Sequence, residues 1–115
     1  MKRQDRGMVT AEVAMASLVL VGVLGSAIGI FGLVVTQLRC IDAAAEIARQ
    51  SARGDAVAVS RMTTATPPGA EVTTSRTPTR TVVVTVTAPV RPVPGVPVTV
   101  HVVGRAEIPL EPGVP

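Results

Sequence analysis

From Val13 to Leu38 the chain runs for 26 positions without a charged residue, and no other feature narrows its fold so far. As a helix this run covers roughly 39 Å, more than the ~30 Å hydrocarbon core of a bilayer. The apolar region of a secretory signal is only about 7–15 residues long and ends at a small-residue cleavage site, so the run is too long for a removable leader of that kind. The segment after it is not a loop either. Gln37 to Arg53 holds helix formers with neither Gly nor Pro, and Gly54 offers a C-terminal cap. The spacing predicts one continuous helix ending near Arg53: a membrane span and then an amphipathic stem over residues 39–54.

The stem has a face of its own. Leu38, Ile41, Ala45, Ala48 and Ala52 recur at helical spacing, while Asp42, Glu46, Arg49 and Arg53 favour another side. That apolar face can lie on the chain's own C-terminal part or pack as a small-residue stripe against neighbouring helices. Within the span, Gly22 with Ser26 and Gly25 with Gly29 place small residues four apart, a spacing that lets helix backbones approach closely in a membrane. Cys40, the only cysteine, excludes an intrachain disulfide. It reads as a small packing residue, with an intermolecular disulfide or lipidation as the other options.

Beyond Gly54 the composition shifts to Thr, Val and Pro. Thr81–Thr87 is nearly all β-branched, with Val82, Val84 and Val86 on one face. Val96–Val102 alternates with four valines on one side, and Glu71–Arg76 is a weaker strand. Pro67-Pro68-Gly69, Pro78 and the Pro-rich stretch 89–95 separate them. The expected fold class is α+β, a long N-terminal helix with a small antiparallel β-meander after it, whose valine face rests on the stem. The tail Glu111–Pro115 is expected to fray.

The same residues exclude several functions. With one Phe, no Trp and no Tyr among 115 residues, residues 55–115 lack the aromatic anchors of a small independent core. The net charge of +3 suggests nucleic acid only until the basic residues are placed. They are scattered, without stacking aromatics between them, so no nucleic acid is expected as a partner. His101 is the only histidine and sits mid-strand opposite the valines. No group of imidazole, thiol or carboxylate stands at metal-ligand spacing, and no nucleophile elbow, phosphate loop or carboxylate pair is present. The expectation is a protein with no cofactor, no metal and no catalysis.

The N-terminal edge of the span carries the remaining signal. Met1–Gly7 is short and basic, with Lys2, Arg3 and Arg6 against Asp5. Lysine and arginine tie at three on the two sides of the span. The density of the head at the membrane edge favours an N-terminus in the cytoplasm and a C-terminus outside. Glu12 sits at the mouth of the apolar run, where a carboxylate needs a partner or a proton. A cut after Gly7 would create an amino group on Met8, one helical turn before Glu12. Glu12 also fits a plainer role as a helix N-terminal acid favoured by the macrodipole.

Arg6-Gly7-Met8-Val9-Thr10-Ala11-Glu12, the span, and Gln37-Leu38-Arg39-Cys40-Ile41-Asp42-Ala43-Ala44 together resemble the TadE-like minor pilins (pseudopilins) of the tight-adherence, or Flp, type IV pilus system. The resemblance covers residues 3–54. It is to the minor class, because Val13 stands after Glu12 where tight-adherence pilins commonly carry Tyr and because residues 55–115 exceed what a major pilin keeps. It implies a prepilin-type leader over residues 1–7, a prepilin peptidase cutting between Gly7 and Met8, and a transmembrane pilin helix over residues 8–38. Glu12 would be the assembly charge, and residues 55–115 a small extracytoplasmic module. The implied partners are that peptidase, the major Flp-type pilin and other minor pilins, the assembly platform and its ATPase, and membrane lipid before assembly. The implied location is the cell membrane and then the extracellular pilus or its base. The competing reading is a permanently anchored single-pass adaptor that binds a partner through its stem and strands.

Overall fold

A computed structural model of the chain describes residues 2–93 and 95–115. It contains α1 (Lys2–Ala52), α2 (Ala56–Thr64), β1 (Glu71–Arg76), β2 (Thr81–Val90) and β3 (Val100–Pro109). The fold is α+β: one long N-terminal helix and a three-stranded antiparallel sheet in the order β1-β2-β3. The molecule measures 87 × 21 × 18 Å, because the 51-residue α1 projects far beyond the sheet it carries.

The sheet lies on the C-terminal half of α1. Along β2, Val82, Val84, Val86 and Ala88 are buried and alternate with half-buried Thr81, Val83, Thr85 and Thr87, as a strand with one covered face requires. Facing them on the helix are Cys40, Ala44, Ile47 and Ala48, all fully buried. This core has no aromatic ring and works by close approach instead of bulk. At Gly104 of β3, in register with Val86, a Cβ would collide with the backbone of Cys40 and Ile41. Glycine there lets the helix touch the strand backbone to backbone. One turn earlier on the helix, the Gln37 amide donates to the Val103 carbonyl at 2.6 Å.

Four expectations need correcting. The stem's buried face is Cys40, Ala44, Ile47, Ala48, Ser51 and Ala52, while Leu38 and Ile41 are exposed. The expected stripe is rotated from the real one because alanines surround the helix and two large residues draw the pattern to the wrong side. A second helix, α2, opens the module expected to be β, in a stretch before Glu71 for which no element was expected. The Asp55 carboxylate caps it, accepting from the Ala58 N–H at 2.9 Å, and that local bond outweighs the β preference of its valines. The third strand begins at Val100 instead of Val96. Pro97 has no N–H to donate, and the Val98 N–H is used locally on the Val96 carbonyl at 2.8 Å. The inward row of β3 is therefore Val102, Gly104, Ala106 and Ile108. Finally, the tail is docked and not frayed. The Glu111 N–H donates to the Ala52 carbonyl at 3.1 Å, and the Arg80 guanidinium donates to the Val114 carbonyl at 2.8 Å.

The turns obey their residues. Pro67-Pro68-Gly69-Ala70 closes with an Ala70 N–H to Pro67 carbonyl bond, and Gly69 supplies the positive φ of 74° that the turn requires. Between β1 and β2, Pro78 fits the second position of Thr77–Arg80, and Arg80 takes the left-handed conformation at φ 58°. Pro89 is accommodated in β2 because the strand has run past its first pairing with β1, Glu71 with Thr87, and keeps a neighbour on one side only.

Candidate functional site

The site suggested by the sequence is the N-terminal half of α1. Gly7, Met8 and Glu12 lie within the helix and are exposed, and nothing stands within 4 Å of where a Gly7 Cβ would be. Among the described residues Glu12 has no ion-pair partner. In the intact chain the Met8 nitrogen is an amide one turn below it and carries no charge to offer.

Above Glu12 the helix is bare. Its most apolar 18-residue window has none of its residues buried, and it is long and apolar enough to cross a membrane. Its polar groups are satisfied within the helix. The Ser17 hydroxyl donates to the Val13 carbonyl and Ser26 to Gly22, each at 2.8 Å, as Thr10 does to Arg6 just below Glu12. This arrangement suits a solvent with no hydrogen bonds to give. Leu18, Leu20, Leu24 and Ile28 are all more than half exposed, an apolar surface of the kind that meets lipid or other helices.

The small-residue positions divide. Gly22 and Gly25 have open space around them, and the Ser26 side chain is folded back on its own helix. Gly29 is different. The carbonyl of Pro92, in the loop between β2 and β3, sits where its Cβ would be. The loop thus reaches down the helix to Gly29, and from there upward α1 runs beside the globular part, with Leu33 packed against the core. Sequence spacing pairs Gly29 with Gly25; it has no means of finding the loop that approaches it, 63 positions along the chain.

Along the flank of the covered face, an apolar row continues past that level. Phe31, Val34, Leu38 and Ile41, spaced three and four apart, are all exposed. Two of these belong to the face expected to be covered.

The remaining candidates are placed plainly. Cys40 is buried under the sheet, and that burial pushes its thiol above the ordinary range. His101 is exposed on β3 opposite Pro89. Among the described residues no group of His, Cys, Asp or Glu could hold a metal ion. A groove of about 460 Å³ between the stem and the end of α2 is lined by Arg39, Asp42, Met62 and Pro67, a set with no nucleophile–base pair. Glu46 is held below the usual carboxylate range by the Gln50 amide at 2.8 Å and by Arg49 at 2.9 Å. This is a brace within the stem. Compared with models of known protein families, with characterised proteins and with solved structures, the chain matches none.

Proposed function

We propose that this chain is a TadE-like minor pilin, cut by a prepilin peptidase between Gly7 and Met8 and built into, or priming, a tight-adherence type IV pilus. The observation that carries the reading is the state of α1. One half is a bare apolar rod, and the other half has one side under the sheet and an exposed apolar row, Phe31, Val34, Leu38 and Ile41, along the flank of that covered side. Lipid can cover the rod. A row that continues beside the globular part needs the helices of other subunits, which a filament provides and a lone membrane anchor does not.

In this reading the apolar half of α1 holds the subunit in the cytoplasmic membrane, the basic leader orients it with its C-terminal part outside, and cleavage changes the charge at the helix end. The new Met8 ammonium and the Glu12 carboxylate, one turn apart, neutralise each other within a subunit or between neighbours as the helix leaves lipid. Removing one member of such a buried pair strands the other, at a typical cost of about 3–5 kcal/mol. The major pilin, other minor pilins and the assembly platform with its ATPase are the partners, and the chain itself performs no catalysis.

Intact-mass or N-terminal analysis of the protein recovered from its host tests the reading. A chain starting at Met8 is expected. A chain starting at Met1 would leave a permanently anchored adaptor instead. The Glu12→Ala variant should still insert and be processed but fall in the pilus-associated fraction; undiminished incorporation would remove Glu12 from the assembly role.

A further inference from the structure

The loop between β2 and β3 carries a cluster of exposed valines that neither the fold nor the proposed function uses. Val93, Val96, Val98 and Val100 are between 37% and 52% exposed. They stand at one end of the globular part, the end turned toward the bare half of α1, because the Pro92 carbonyl of the same loop rests on Gly29. Arg91 is the only charged residue between Thr81 and Val100, and it lies exposed beside Gly25, Ile28 and Gly29.

The level of that contact fits a membrane dimension. From Val13 to Ile28, the uncharged stretch of α1 below the loop, a helix rises about 24 Å, so a hydrocarbon core of ~30 Å takes up the helix all the way to the loop. A longer buried span would drag the loop, and with it the sheet, into hydrocarbon. The boundary therefore falls at the valine cluster.

We propose that Arg91, Val93, Val96 and Val98 of the β2–β3 connection, with Val100 at the start of β3, form a membrane-contact element that seats the globular part on the lipid surface, with the valines at the acyl–headgroup boundary and Arg91 among the phosphates. Apolar side chains beside a cation, with no acid nearby, are the composition that enters this zone. The occupant is the bilayer that holds α1, since the loop's apolar surface is continuous with that of the helix through Gly29 and Ile28. The loop thereby sets how much of the 26-residue apolar run is embedded, leaving Phe31, Val34 and Leu38 above the lipid. The inference rests on the membrane-anchored reading of α1.

The chain has no Trp, so a single introduced indole reports its own surroundings. Three full-length variants, Val96→Trp, Leu18→Trp and Thr85→Trp, would be reconstituted into phosphatidylcholine–phosphatidylglycerol vesicles containing lipids spin-labelled at shallow or deep acyl positions. The expected result has three parts. Val96→Trp shows blue-shifted emission quenched more by the shallow than by the deep label. Leu18→Trp is quenched most by the deep label, and Thr85→Trp, on the outer face of the sheet, by neither. Quenching of Leu18→Trp without quenching of Val96→Trp would overturn the inference while leaving the membrane span intact. Failure of both variants to quench would remove the span itself. Blue-shifted emission from Val96→Trp that no lipid label quenches and that reverts as protein is diluted in lipid would assign the cluster to a second copy and also overturn the inference.

Discussion

At the scale of single residues, the molecule depends on places where side chains are small. Gly104 lets the backbone of Cys40 and Ile41 rest on β3, and the neighbouring core positions are Ala44, Ala48 and Ala88. With backbone on both sides of the contact, neither partner can yield to a new side chain. Gly104→Val is therefore expected to lose about 1–3 kcal/mol, the range of overpacked cores, read as a lowered urea midpoint of the full chain in detergent micelles. An unchanged midpoint would mean that helix and sheet do not meet there. Cys40 provides a second reading of the same contact. Buried, with its thiol pushed toward the protonated form, it should react slowly with a maleimide in the folded protein and quickly once denatured. Equal rates in both states would show that the sheet does not cover the stem. Of these two residues, Cys40 is legible as a packing residue from its position in a helical sequence. Gly104 is not, since a glycine among valines marks a close approach only when the approaching element is known.

At the scale of elements, α1 is one helix by local structure and two by environment. Its lower half satisfies its hydroxyls on its own carbonyls, and its upper half is braced by Glu46, Arg49 and Gln50. Glu46 has its folded-state pKa lowered, first by the Gln50 hydrogen bond and then by Arg49. Linkage gives the sign. A depressed carboxylate contributes its full stabilisation above the ordinary glutamate value of about 4.3 and loses it as pH falls through the folded value. The stability difference between the native chain and Glu46→Gln should therefore be largest near neutrality and shrink on acidification below about pH 4. A pH-independent difference would assign the effect to packing. The β elements show how far pattern reading reaches. Alternation alone places β1 at its true bounds and finds the valine face of β2, because a period of two is a local property. It displaces β3, because Val96 and Val98 alternate just as well as Val102 and Ile108. Only the missing N–H of Pro97 and the position of the helix separate the two rows.

At the scale of the whole molecule, the chain's end returns to its middle. Glu111 bonds the last turn of α1 and pairs with Arg53 at 3.5 Å, while Arg80 and Arg76 hold the main-chain oxygens of Val114 and Pro115. Val114 packs at Gly54, the residue that ends the helix with φ 76°. Deleting residues 111–115 should release the β1–β2 turn from the stem. The expected outcome is faster proteolysis within residues 53–80 and a loss of about 1–2 kcal/mol, the scale of a few exposed hydrogen bonds. Unchanged proteolysis would show the tail to be a passive passenger. Arg80 carries a non-glycine residue in the left-handed region, and its guanidinium bond to the tail accounts for an arginine there where glycine would turn more easily.

By itself, the sequence determined much of what depends on neighbours a few positions apart: the uncharged run of α1, the helical stem and its glycine stop, two strands, and the spacing of Gly7, Met8 and Glu12, though not α2 and its Asp55 cap. Tertiary structure alone decided which side of the stem is covered, which glycine meets the loop and where the rod ends. Those outcomes depend on the approach of residues far apart in the chain, such as Gln37 with Val103, Gly29 with Pro92 and Cys40 with Gly104. A helix rich in alanine offers nearly the same surface on several sides, and the side that becomes the core is chosen by the strand that lands on it.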